Sequence, residues 1–121
     1  MKLVSLIAAA AFAPALASAA DFSGTWKFDN TFNGKVSSLH CTLVQKGDAL
    51  TGSCKPDIEG MAASDLTGTA KGPTAKWGYS LEFNGKPARV DFDVTLAADG
   101  SLSGNLLRNG SGSPIKGVRQ P

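Results

Sequence analysis

The chain has 121 residues, 42% of them hydrophobic, with 12 Lys and Arg against 10 Asp and Glu and a formal net charge of +2. A balance this near neutrality makes no electrostatic case for nucleic acid or an anionic membrane surface. The length suits a single domain with one core.

Residues 1–20 read as a signal peptide outside the fold. Met1-Lys2 gives a positive start, Leu3 to Ala13 an apolar run broken by Pro14, and Ala17-Ser18-Ala19 a small-x-small cleavage pattern. Cleavage falls after Ala19 or Ala20. The run is too short to span a membrane, and no cysteine stands at the cleavage point to take a lipid. The protein is expected in the periplasm or outside the cell.

Residues 21–121 read as one all-β domain. Turn signals recur through it, and no helical period competes with the alternation. The expected strands cover 22–30, 36–45, 50–55, 64–71, 74–83, 87–96, 101–108 and 113–120. One phrase recurs in four of them: Phe22-Ser23-Gly24-Thr25, Leu50-Thr51-Gly52-Ser53, Leu66-Thr67-Gly68-Thr69 and Leu102-Ser103-Gly104-Asn105. The side-chain period of a strand is 2, so the bulky residue and the glycine share a face. A bulky residue beside a gap suits a tightly coiled sheet that closes on itself.

The hairpins test this reading, because facing residues must share a side. Asn33-Gly34 as a two-residue turn sets Phe28 opposite Leu39, Trp26 opposite Cys41 and Gly24 opposite Leu43. Gly47-Asp48 sets Leu43 opposite Gly52 and Cys41 opposite Cys54. An exported chain with two facing cysteines predicts a Cys41–Cys54 disulfide. The stretch from Pro56 to Ala63 is the longest loop; its Ile58 and Met61 have no strand face and either plug a barrel end or form a lid.

Farther on, Asn84-Gly85 sets Tyr79 opposite Val90 and Trp77 opposite Phe92 on one face, and Lys76 opposite Asp93 on the other. Ala98-Asp99-Gly100 as a three-residue turn pairs Leu96 with Leu102. A four-residue loop from Asn109 to Gly112 pairs Leu106 with Ile115 and Gly104 with Gly117. The hairpins agree on an apolar inner face and a charged outer one, the reverse of an outer-membrane barrel. The expected fold is an eight-stranded antiparallel up-and-down meander barrel with one disulfide. An open two-sheet sandwich is the alternative, and the short sequential hairpins argue against it.

Gly24-Thr25-Trp26 on the first strand resembles the Gly-x-Trp signature of the calycins, which include lipocalins and avidins. Lipocalins place an arginine from the last strand over that tryptophan, and Arg119 on the expected last strand matches it. The resemblance implies structural roles for Trp26 and Arg119. The repeated Leu-Thr-Gly phrase is closer to avidins, although the polar residues that hold biotin's ring in that family have no match here. Small exported bacterial barrels are similar in size.

No side chains here have the spacing of a catalytic or metal site, so the chain reads as a non-enzyme without a cofactor. His40, the one histidine, falls on the outer face opposite Lys27; Asp91 and Asp93 share an outer face with Lys76. The inner aromatics are the better lead. Trp77, Tyr79, Phe92, Phe83 and Met61 are the candidate ligand-binding residues, with Phe83 and Met61 nearer the mouth. Eight-stranded barrels stand between filled and ligand-holding interiors, and the inner glycines either leave a cavity or admit bulky neighbours. The leading expectation is a non-catalytic barrel that takes a small apolar or aromatic molecule inside. The alternative is a protein-binding module such as a secreted protease inhibitor. Exported metalloprotease inhibitors share the size and topology but insert an N-terminal arm, and here only one or two residues are expected to precede Phe22 once the signal peptide is removed.

Overall fold

The computed structural model describes residues 21–32 and 34–121; the expected signal peptide and Asn33 lie outside the described residues, as do the side chains of residues 30–32, 35 and 83. Eight antiparallel strands follow in order: β1 (Gly24–Phe32), β2 (Lys35–Lys46), β3 (Ala49–Pro56), β4 (Ser64–Lys71), β5 (Thr74–Phe83), β6 (Lys86–Leu96), β7 (Leu102–Arg108) and β8 (Ser111–Arg119). Each pairs with the next, and β8 returns to β1, closing a meander barrel. The sandwich alternative is excluded by that closure.

The expected hairpin registers hold as far as β7: Trp26 faces Cys41, Cys41 faces Cys54, Trp77 faces Phe92 and Leu96 faces Leu102; between β4 and β5, Gly68 faces Trp77. The last hairpin differs. Asn109 (φ 51°) and Gly110 (φ 88°) are both left-handed, the geometry of a two-residue type I′ turn. Leu106 therefore faces Ser113, and Gly104 faces Ile115. Asn109 fixes this turn against β6, because its side-chain carbonyl accepts from Arg89 N at 2.8 Å and its own N donates to Arg89 O at 2.8 Å. The slip is two residues, so every side chain stays on its expected face.

A second difference is at the start, where β1 begins at Gly24 rather than residue 22. The chain ahead of it seals one end of the barrel. Phe22 N donates to Gln45 Oε1 at 2.9 Å, Trp26 Nε1 donates to Phe22 O at 2.9 Å, and Gln45 N donates to Ser23 Oγ at 2.9 Å. Arg119 lies over the Trp26 ring, 4.2 Å from its centroid, and donates to Asp21 O at 2.9 Å and to Ser23 O. The fold and this arginine–tryptophan contact are consistent with a calycin-like fold.

The five inner glycines admit neighbours and leave no void of their own. A Cβ at Gly24, Gly52, Gly68, Gly104 or Gly117 would come under 3.0 Å from an atom of the facing strand. At Gly68 that atom belongs to Lys76 and Trp77, and at Gly117 to the Phe28 ring. Closely coiled strands then bring large rings together on the axis. Trp77 stacks on Phe92 at 4.9 Å and 15°, Phe28 is 5.1 Å from Phe92, and the Cys41–Cys54 disulfide is fully buried beside them in the same core.

Candidate ligand cavity at the mouth of the barrel

The two barrel ends are built differently. Phe22, Trp26 and Arg119 fill the end where the chain enters β1. The other end carries the Asn84-Gly85 and Asn109-Gly110 turns and the loop between β3 and β4. There the interior opens into a cavity of about 610 Å³. Leu39, Tyr79, Leu81, Val90 and Leu106 form its inner wall. All five project inward from strands, because each stands at an even spacing from a core residue of its own strand.

Ile58 and Met61 also line the cavity, beside Pro56. The loop that bears them is anchored by Asp57 N donating to Ser38 O at 2.8 Å and closed by a turn from Met61 N to Ile58 O at 3.1 Å. It borders the mouth without filling it, since Ile58 is 43% exposed. Val36, two residues before Ser38 on β2, is 72% exposed.

The expected site residues separate into two groups. Tyr79 and Met61 line the cavity. Trp77 and Phe92 lie one inward position deeper, in the packed aromatic layer, with the Phe92 ring 6.4 Å from that of Tyr79. Trp77 is 2% exposed, and its Nε1 has no hydrogen-bond partner among the described residues. The side chain of Phe83 lies outside the described residues. The interior is therefore filled in the half nearest Trp26 and open in the half nearest the Asn-Gly turns, which joins the two sequence alternatives in one molecule.

The polar groups of the cavity escaped the sequence reading. Arg108, Lys86, Ser37, Ser38 and Asn109 line it. Arg108 follows Leu102, Gly104 and Leu106 at a period of 2, so its inward position was readable from the alternation of β7. Across the sheet Tyr79 faces Val90 and Val90 faces Arg108, giving an inward row of three. Burial pushes the Tyr79 hydroxyl up to about 12, against an opposing pull from the Arg108 charge. The phenol thus keeps its proton and can donate into the cavity.

A shallower depression of about 450 Å³ lies on the outer face over Gly68 and Gly78. Its carboxylates are engaged by cations: Asp91 with Arg89 at 3.0 Å and Asp93 with Lys76 at 4.0 Å. His40 is also on the outer face, facing Lys27, and its Nδ1 donates to Gln120 Oε1 at 2.9 Å. Among the described residues no group of three or more His, Cys, Asp or Glu is placed to hold a metal ion, and no helix is long and apolar enough to cross a membrane.

No protein-family model, curated protein or solved structure matches this chain.

Proposed function

We propose that this protein is an exported, non-catalytic barrel of the calycin type that binds a small molecule with an apolar or aromatic body. The observation that carries the reading is the open half of the interior. Its volume of about 610 Å³ is within the range of small-molecule sites, roughly 300–1,000 Å³. Its wall is aliphatic with one phenol. Access is past the loop bearing Ile58 and Met61, and the Trp77–Phe92 layer forms the floor beneath Tyr79. The disulfide suits an oxidising compartment, periplasmic or extracellular. The charged outer face suits a barrel surrounded by water rather than lipid.

Native mass spectrometry of protein purified without denaturation, followed by titration with a neutral aromatic fluorophore, tests this. A reproducible added mass or one-to-one binding is expected. Ala88 lines the cavity, so Ala88→Trp should fill it and abolish binding while circular dichroism is unchanged. A bare mass together with no fluorophore binding would refute the reading.

A second reading, docking of a protein on the same rim, is favoured by the exposure of Val36 and Ile58. Incubation with secreted proteases examines its inhibitor form: retained protease activity counts against it.

A further inference from the structure

The buried core holds hydrogen-bond donors that have no acceptors. Among the described residues its members are aliphatic, aromatic or the disulfide cysteines, so the polar side-chain atoms of the core belong to Trp26, Trp77 and Tyr79. Trp26 Nε1 donates to Phe22 O at 2.9 Å. Trp77 Nε1 finds no acceptor among the described residues, and no hydrogen bond joins the Tyr79 hydroxyl to any of them. Trp77 and Tyr79 are two residues apart on β5 and share its inward face. Trp77 is sealed in the aromatic layer, whereas Tyr79 lines the cavity while only 5% exposed.

The acceptors nearer the mouth are already used. Asn109 Oδ1 accepts from Arg89 N at 2.8 Å, Ser38 O accepts from Asp57 N at 2.8 Å, and the Ser38 hydroxyl donates to Asp29 at 2.9 Å. Ser37 is two residues nearer the rim than Leu39. Lys86 and Arg108 bring donors only, and Arg108 is engaged already. Below the rim, then, the uncommitted group of the wall is the Tyr79 phenol, which burial keeps protonated. An entering molecule with an acceptor gains a bond there. One with a donor gives up its water and receives no acceptor from the aliphatic wall. A carboxylate would bring a charge into apolar surroundings, at greater cost.

Resting on the cavity reading above, we infer that the ligand is an uncharged aryl carbonyl compound, a ketone or aldehyde: the Tyr79 hydroxyl donates to its carbonyl oxygen, and its ring lies against Leu81, Val90 and Leu106. A carbonyl fits because it accepts without donating and bears no charge. Tyr79 is then the residue that sorts ligands of equal size, and the aliphatic wall accepts any compact ring.

A matched set of naphthalenes separates the wall from the phenol. Acetylnaphthalene, ethylnaphthalene and naphthylethanol share a ring and a side-chain length and differ in the oxygen. Equilibrium dialysis of each against the folded protein gives its affinity. Tyr79→Phe should weaken acetylnaphthalene about tenfold and leave ethylnaphthalene within about twofold of its native affinity. Naphthylethanol, whose own O–H lacks an acceptor, should bind the native protein roughly fivefold more weakly than acetylnaphthalene. The infrared carbonyl band of acetylnaphthalene bound to the native protein should lie below its position in hexane, a readout that needs no variant to fold. In Tyr79→Phe that shift should vanish. An unshifted band on the native protein, equal losses of ketone and hydrocarbon in Tyr79→Phe, or naphthylethanol binding as tightly as the ketone would overturn the carbonyl assignment and leave the cavity reading standing. Failure of all the naphthalenes to bind the native protein would overturn both.

Discussion

Arg119 and Trp26 face each other across the β1–β8 seam, and the guanidinium also covers the indole at 4.2 Å. One side chain thus joins the ladder that closes the barrel, the ring that plugs its end and the two backbone carbonyls of Asp21 and Ser23. Its contribution combines a cation–π contact with charge-assisted hydrogen bonds.

Arg119→Ala should therefore cost roughly 2 kcal/mol. Arg119→Lys should recover less than half of this, because an ammonium cannot stack and reach two carbonyls together. Chemical denaturation of the three proteins checks both values.

Reduction of Cys41–Cys54, or replacement of both by alanine, should cost on the order of 3 kcal/mol in the chain-entropy account. The bond joins β2 to β3 beside Trp26. Hydrogen exchange should rise most in β1 to β3 and least in β6 and β7; a uniform rise would show that the bond acts on the whole barrel.

Tyr79 is the single tyrosine, so tyrosinate absorbance reports it directly. Its hydroxyl is raised from 10.0 to about 12 by burial. The folded state holds the proton more tightly than the unfolded one, so the related stability is complete below pH 10 and is lost as pH rises towards 12. The full loss is roughly 2–3 kcal/mol. Tyr79→Phe should flatten this alkaline decline, as followed by denaturation midpoints across the range.

Trp77 combines a large buried surface with an indole N–H that finds no partner among the described residues. Trp77→Phe should cost only about 1 kcal/mol, because the lost contact area is offset by removal of an unsatisfied donor. Trp77→Ala should cost about 3–5 kcal/mol. Should Trp77→Phe cost as much as Trp77→Ala, the N–H would have a partner in solution, and a ligand or trapped water would be its source.

Much of the architecture was legible because it rests on parity. A hairpin turn of known length fixes which residues face each other, and each such choice was checked by whether Trp77 met Phe92 or Cys41 met Cys54. The Asn109 turn was misread because length and face are separate quantities: a two-residue slip leaves the inward set intact, so alternation does not detect it. The cavity was less legible. Trp77, Tyr79 and Phe92 alternate identically with their neighbours, and only their depth separates packed floor from open wall. Depth depends on the coil of the strands, which the glycine contacts set and a period of 2 does not encode. Arg108 was readable by position, yet a charged residue on an apolar face looks like a strand end until the barrel is closed around it.

The seam is also a matter of timing. Among the described residues, seven of the eight ladders join strands that are neighbours in the chain, while β1 and β8 meet through three residue pairs and the Gln120 N to Thr25 O hydrogen bond and are separated by nearly the whole domain. Contacts between distant parts of a chain bear the largest loop-closure cost and form late. Arg119 can reach Trp26 only after every hairpin between them has curled into place. Until then the folding sheet has two open edges able to pair with those of another copy. Weakening this contact should therefore slow the completion of folding and favour strand-exchanged dimers at high concentration, even where the finished barrel remains stable.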